Sequence, residues 1–121
     1  MLIWLGGALG SWLRYEFGAA LARRYGTAFP WGTFVINVTG SFVIGAFLTL
    51  AADRIDLDPR WRFFVAIGFC GGYTTFSTFA WETAKLLEGR SLLYAIGNVG
   101  GSAVCGVLAV VAGAATARWL A

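Results

Sequence analysis

The chain has no histidine, only two cysteines and two prolines, and little charge: Asp, Glu, Lys and Arg together make up 12% of its 121 residues. A soluble domain usually carries about twice that share, roughly 25%. With no histidine and no grouping of Cys, Asp and Glu at ligand spacing, the sequence offers neither a metal-ligating cluster nor a hydrolytic triad, so it is not expected to be an enzyme. Cys70 and Cys105 both fall inside apolar runs, where a thiol behaves as a small hydrophobe, and they carry no information on redox compartment. The N-terminal MLIWLGGALG lacks the basic opening of a cleavable signal, which makes a retained helix the expectation. The net charge of +3 does not point to nucleic acid, because the basic residues flank apolar runs, where they anchor to lipid headgroups.

What the chain has is apolar length. It is 59% hydrophobic with a mean hydropathy of +0.73, and a bilayer-spanning helix needs about 20 apolar residues. Four stretches qualify: Leu2 to Ala22, which contains Arg14 and Glu16; Trp31 to Ala52, uncharged; Phe63 to Ala84, charged only at Glu82; and Ser91 to Ala117, uncharged. The expected fold is an all-α integral membrane domain over residues 1–121, in contact with the lipid bilayer, with helices at about 2–22, 31–52, 61–87 and 91–118. Little chain is left over for an extramembrane domain. With four spans, Arg54, Arg60, Arg62 and Arg118 lie on one side of the membrane and Arg23, Arg24, Lys85 and Arg90 on the other. Orientation follows an excess of Lys and Arg in cytoplasmic loops, and here neither side has one. Such a chain is expected to insert both ways round and to pair as an antiparallel homodimer. The alternative is that the Arg23–Arg24 pair fixes a single orientation.

Polar residues within the spans fall on stripes. Gly6, Gly10, Arg14 and Gly18 share one face of the first span, which sets Arg14 among small residues rather than toward lipid. An intramembrane arginine is a functional candidate by default, with pairing to Glu16 as the structural alternative. Thr33, Asn37, Ser41, Gly45 and Thr49 recur every four residues in the second span, a pattern typical of a packing seam. The amide of Asn37, near mid-helix, needs partners or water, and so is a pore-lining candidate as well. In the fourth span Tyr94, Asn98 and Ser102 form a ladder of donors able to pass a dehydrating ion along, or to hydrogen-bond between helices.

The third span is the most informative. Gly71-Gly72-Tyr73-Thr74-Thr75-Phe76-Ser77-Thr78-Phe79 places two glycines and four serine or threonine residues in the middle of an apolar run. Glycine pairs loosen helices, and a helix broken at membrane depth persists only where protein or a cavity receives the freed backbone groups. The third helix is therefore expected to break near 71–75. Phe76 and Phe79, three apart, share a face, and an aromatic edge is electropositive enough to attract an anion weakly. Weak attraction is what conduction needs, since an ion must leave as well as enter. Taken alone, two phenylalanines in a span would more often face lipid.

The run Gly71–Phe79, the Gly-rich first span ending in Arg14-Tyr15, and Asn37-Val38-Thr39-Gly40-Ser41-Phe42 together resemble the signature of the Fluc (CrcB) fluoride-channel family, over essentially the whole chain. The resemblance implies a multi-pass protein of the plasma membrane, assembled as an antiparallel homodimer with two fluoride pores that give passive fluoride efflux. It implies that Phe76 and Phe79 supply the rings that contact fluoride, beside Thr75 and Ser77. Asn37 would be the pore amide and Tyr94, Asn98 and Ser102 the polar track, with Asn98 standing where the family commonly has serine. Arg14 and Glu82 are vestibule candidates. The resemblance further implies a structural sodium ion on the dimer axis, held by the backbone carbonyls of Gly71 and Thr74. Two rival readings stay open on the residues alone. One is a small multidrug-type exporter of organic cations using Glu16; the other is an accessory subunit whose stripes serve only assembly.

Overall fold

A computed structural model describes residues 1–54 and 56–121 and is helical throughout, with no strand among the described residues. Helix α1, Leu2–Tyr25, closes with Arg23 and Arg24 in its last turn, where their charge complements the helix dipole. Gly26 then turns the chain at φ 78°. Pro30 precedes α2, Trp31–Asp53, and its carbonyl accepts the Phe34 amide at 3.0 Å. At the far end of α2 the Arg62 guanidinium donates to the Ala51 carbonyl at 3.2 Å.

Helix α3 is Arg62–Cys70, wound as a π-helix, continued by the α-turn Gly71–Tyr73. Thr74 (ψ 158°) and Thr75 (ψ 115°) are extended, and α4, Phe76–Glu88, starts beyond them. The helix breaks at these threonines and not at the glycines, since Gly71 itself keeps helical angles. Gly72 has a different duty: a Cβ there would run into the Gly7 carbonyl of α1. The hairpin into α5, Leu92–Leu120, is tight. Arg90 adopts φ 59°, its amide bonds Leu87 at 3.1 Å, and the Ser91 amide bonds Leu86 at 2.8 Å, a Schellman closure with arginine where glycine is usual.

Backbones pack against backbones. A Cβ on Gly6 or Gly10 would strike the carbonyls of Phe64 or Phe69 in α3, and one on Gly45 or Gly113 would strike the facing α2 or α5 chain. Small residues thus let α1 meet α3 and α2 meet α5 at a distance that larger side chains forbid. Few side chains are shut away: Ile36, Ala51, Cys70, Tyr73, Ala95 and Ala117 are the buried apolar ones, while Trp12, Phe76, Leu93, Val107 and Leu108 face outward. An apolar exterior over a small-residue interior suits a lipid solvent and a partner chain. Three helical stretches are long and apolar enough to cross a bilayer: Trp31–Asp53, Arg62–Glu88 and Leu92–Leu120. Helix α1 has the length, at 24 residues, but Arg14 and Glu16 dilute its hydropathy.

Gly10→Ala is expected to destabilise the protein by about 1–3 kcal/mol through overpacking. Arg90→Gly should stabilise it by about 1 kcal/mol, because glycine adopts positive φ freely. Thermal unfolding in detergent checks both, and a Gly10→Ala protein as stable as the parent would contradict the close α1–α3 contact.

Candidate functional site

The break leaves backbone groups that need partners, and Asn37 meets them. Its Nδ2 donates to the Thr75 carbonyl at 3.0 Å, and its Oδ1 accepts the Thr75 amide at 2.8 Å. A side-chain amide here does the work of a neighbouring strand. Both polar atoms of Asn37 are thereby engaged, and one Nδ2 hydrogen remains. Thr75 in turn caps α4: its Oγ1 accepts the Thr78 amide at 3.2 Å and lies 3.1 Å from Thr78 Oγ1 and 3.4 Å from Ser77 Oγ.

These diversions free two carbonyls. In an unbroken α-helix the Thr75 amide would serve Gly71 and the Thr78 amide would serve Thr74. Here they go to Asn37 Oδ1 and Thr75 Oγ1. Gly71 is exposed on the single chain, with open space where a Cβ would stand. Carbonyl oxygens without their helical donors are hard donors of the kind an alkali cation takes.

Two cavities flank the break. The larger, about 620 Å³, is lined by Arg14, Thr33, Thr75, Thr78 and Glu82, among others. The smaller, about 330 Å³, is lined by Asn37, Ser41, Gly71, Thr74, Thr75 and Phe76. Thr75 borders both and forms the partition between them. In the larger cavity Arg14 makes no ion pair among the described residues, and Glu16 is exposed on the outside of α1, so the pair weighed from sequence does not form. Glu82 Oε1 accepts the Thr33 hydroxyl at 2.9 Å, and its Oε2 is buried without a partner among the described residues.

Phe76 and Phe79 begin α4 with ring centroids 5.6 Å apart, tilted by 43°. Phe79 is half-buried, whereas Phe76 is 79% exposed on the single chain. Ser77 is exposed beside them. The fourth-span ladder divides. Tyr94 packs edge-on against Phe29 at 5.9 Å, near the mouth of the larger cavity, which Phe29 also lines. Asn98 is wholly buried and bonds Thr83, and Ser102 reaches Asn98 at 3.4 Å. Thus Asn37, Thr74, Thr75, Ser77, Phe76 and Phe79 gather at the break, and Arg14 and Glu82 share a cavity. Tyr94, Asn98 and Ser102 line neither cavity. Three residues that sequence reading did not single out for the site, Thr33, Thr78 and Thr83, hold these groups in place. Thr33 sits on the α2 stripe and Thr78 within the hydroxyl run, so each had a visible signal; Thr83 had only its place four residues after Phe79.

The architecture defines a polytopic helical membrane protein with one helix broken near its middle and two cavities beside the break. Comparison with known proteins narrows this. A family model described as CrcB-like protein, Camphor Resistance (CrcB), matches residues 1–114. The fluoride-specific ion channel FluC of Solibacter usitatus is 46% identical over 118 residues, covering 98% of this chain and 97% of the relative. The proteins of that name from Koribacter versatilis and Chloroflexus aurantiacus are 43% and 45% identical over 114 and 119 residues. They cover 94% and 98% of this chain, and 90% and 94% of their own lengths. This chain belongs to the CrcB family.

Asn37→Ala is expected to cost about 2–4 kcal/mol, because it strands the amide and carbonyl of Thr75 in a lipid-like interior. Denaturant unfolding of the purified protein checks this, and a loss below about 0.5 kcal/mol would show that other contacts hold the break.

Proposed function

We propose that this protein is a fluoride-selective channel that lets fluoride leave the cell passively across the bacterial plasma membrane, and that it works as an antiparallel homodimer with two pores. The observation that carries this reading is the break at Thr74–Thr75, which sets a paired-ring motif and a cluster of hydroxyl and amide groups beside two cavities with one residue between them. The relatives matched along nearly the full chain are fluoride-specific ion channels, which supports the choice of ion.

Fluoride is small and holds its water tightly, so it moves through a membrane only where protein groups replace that water. Arg14, which makes no ion pair among the described residues, lines the larger cavity together with Glu82, and its guanidinium offers donors to an entering anion. The hydroxyls of Ser77 and Thr78 and the remaining Asn37 hydrogen then offer donors at the partition, where the Thr75 hydroxyl is turned toward Thr78. Phe76 and Phe79 present polarised ring edges, which hold an anion less firmly than a cation would and so let it go. Hydrogen fluoride crosses membranes from acidic surroundings and dissociates at neutral pH, and a passive exit for the trapped anion protects the cell.

A second copy is part of this reading. Phe76 is exposed on the single chain and the smaller cavity is open, so an ion beside that ring would not be enclosed without a partner. Helix α1 serves as the fourth span, with Arg14 facing the cavity rather than lipid. The even distribution of Lys and Arg allows both insertions. The Gly71 and Thr74 carbonyls of the two copies would hold a sodium ion on the dimer axis; bound there, the cation supplies charge that ties the two breaks together. Tyr94, Asn98 and Ser102 lie along α5 as the candidate polar track.

The test is growth in fluoride. In a bacterium made fluoride-sensitive by loss of its own exporter, the parent protein should restore growth, and a folded Phe76→Ile, Phe79→Ile variant should not. Equal protection by the variant would remove the ring pair from the pathway, and absence of protection by the well-expressed parent would count against the channel. Replacing sodium with a large organic cation during purification should weaken the dimer on size-exclusion chromatography; an unchanged profile would remove the sodium site.

A further inference from the structure

Asn98 stands in the middle of the candidate polar track, yet it is 0% exposed and, with Ile36, is one of the largest side chains shut off completely among the described residues. Its hydrogen bonds run in one direction. Ser102 Oγ donates to Asn98 Oδ1 at 3.4 Å, Asn98 Nδ2 donates to Thr83 Oγ1 at 3.0 Å, and Thr83 Oγ1 donates to the Phe79 carbonyl at 2.8 Å. Because the Thr83 hydrogen is committed to Phe79, only its lone pairs face α5, so the group meeting it must be a donor. An anion also requires donors. The donor that Asn98 gives to Thr83 is therefore not available to a passing ion, and the residue has no exposed face through which to offer another.

Helix α4 needs such a tie. No side chain of Phe76–Glu88 is buried within the single chain. Polar bonds therefore link it to its neighbours: Asn37 to Thr75 at its start, Thr33 to Glu82 on the α2 side, and Asn98 to Thr83 on the α5 side. Thr83 lies one turn after Phe79 on the same face, so fixing Thr83 against α5 fixes the rotation of α4 and with it the direction of the Phe79 ring. A serine in place of Asn98 ends one bond short of the Asn98 Nδ2 position and does not span this contact.

We infer that Asn98 is a positioning residue that sets the orientation of Phe79 through Thr83, and that it is not itself a rung on the ion's path. The inference rests on the fluoride-channel reading for its consequence in transport, but its geometric part stands apart from it. The experiment combines fluoride efflux from liposomes, measured per folded dimer, with ¹⁹F NMR of 4-fluorophenylalanine incorporated at position 79. Thr83→Val and Asn98→Ala should each slow efflux by about tenfold, and the double variant should be no slower than either single one, since the pair acts as one unit. Thr83→Ser, which keeps the hydroxyl, should run at the parent rate. The ¹⁹F line should shift and broaden in Thr83→Val and Asn98→Ala and stay in place in Thr83→Ser.

Parent-rate efflux in Thr83→Val alongside slow efflux in Asn98→Ala would overturn the inference, because Asn98 would then act on the ion directly. Parent-rate efflux in both would overturn it by leaving the contact merely structural, and so would an unmoved ¹⁹F line. If Asn98→Ala does not fold, Thr83→Val, which preserves shape, carries the test. Should the parent protein release no fluoride at all, the channel reading fails separately, and the ¹⁹F line still decides whether the Asn98–Thr83 contact orients the ring.

Discussion

Two hydrogen bonds between the Asn37 amide and the Thr75 backbone keep a helix open in a place where lipid favours closing it. An unpaired amide or carbonyl in hydrocarbon costs several kcal/mol, which is why spanning segments are ordinarily unbroken helices. Asn37 removes that penalty at one residue by supplying a donor and an acceptor at the spacing of a peptide group. The other features of the site follow from the opening. The carbonyls of Gly71 and Thr74 lose their helical donors, Thr75 becomes a partition between two cavities, and α4 begins with its amides pointing at that partition.

The same opening explains how loosely α4 sits in the single chain. It shares little apolar surface with its neighbours and leans on polar clamps from α2 and α5. Interhelical hydrogen bonds in membranes contribute only about 0.6–2 kcal/mol each, so the four that Asn37, Thr33 and Asn98 make orient a helix more than they stabilise it. By contrast α1 with α3, and α2 with α5, meet through glycines whose backbones touch. The molecule thus joins a closely packed frame to a lightly held segment that carries the two rings, with Phe76 and Gly71 exposed on the single chain.

Much of this was legible in the residues because lipid imposes simple rules. Apolar length gave the helices, and the four-residue recurrence of Gly6, Gly10 and Gly18 gave the face of α1 that packs. Arg14 lies on that face and lines the larger cavity. The break was legible too, but its agent was misassigned: glycines at 71 and 72 suggested a loosened helix there, whereas they remain helical and Gly72 serves contact with Gly7. The break comes at Thr74–Thr75, where β-branched residues accept extended angles and Asn37 is within reach. The π-winding of Arg62–Cys70 left no mark in the sequence, since it depends on how α3 is drawn against α1. The engagement of Asn98 was hidden for a similar reason. Periodicity gives the face a residue occupies, not which helix stands opposite, and Thr83 became its partner only once the hairpin at Arg90 folded α5 back on α4.

The central claim is that the opening held by Asn37 forms part of a path for fluoride. The most direct measurement is anion release from liposomes loaded with potassium fluoride or potassium chloride, containing the purified dimer and a potassium carrier, followed with ion-selective electrodes. The account predicts rapid loss of fluoride with chloride retained. Retention of both anions by vesicles that contain folded dimer, or release of the two at equal rates, would contradict it.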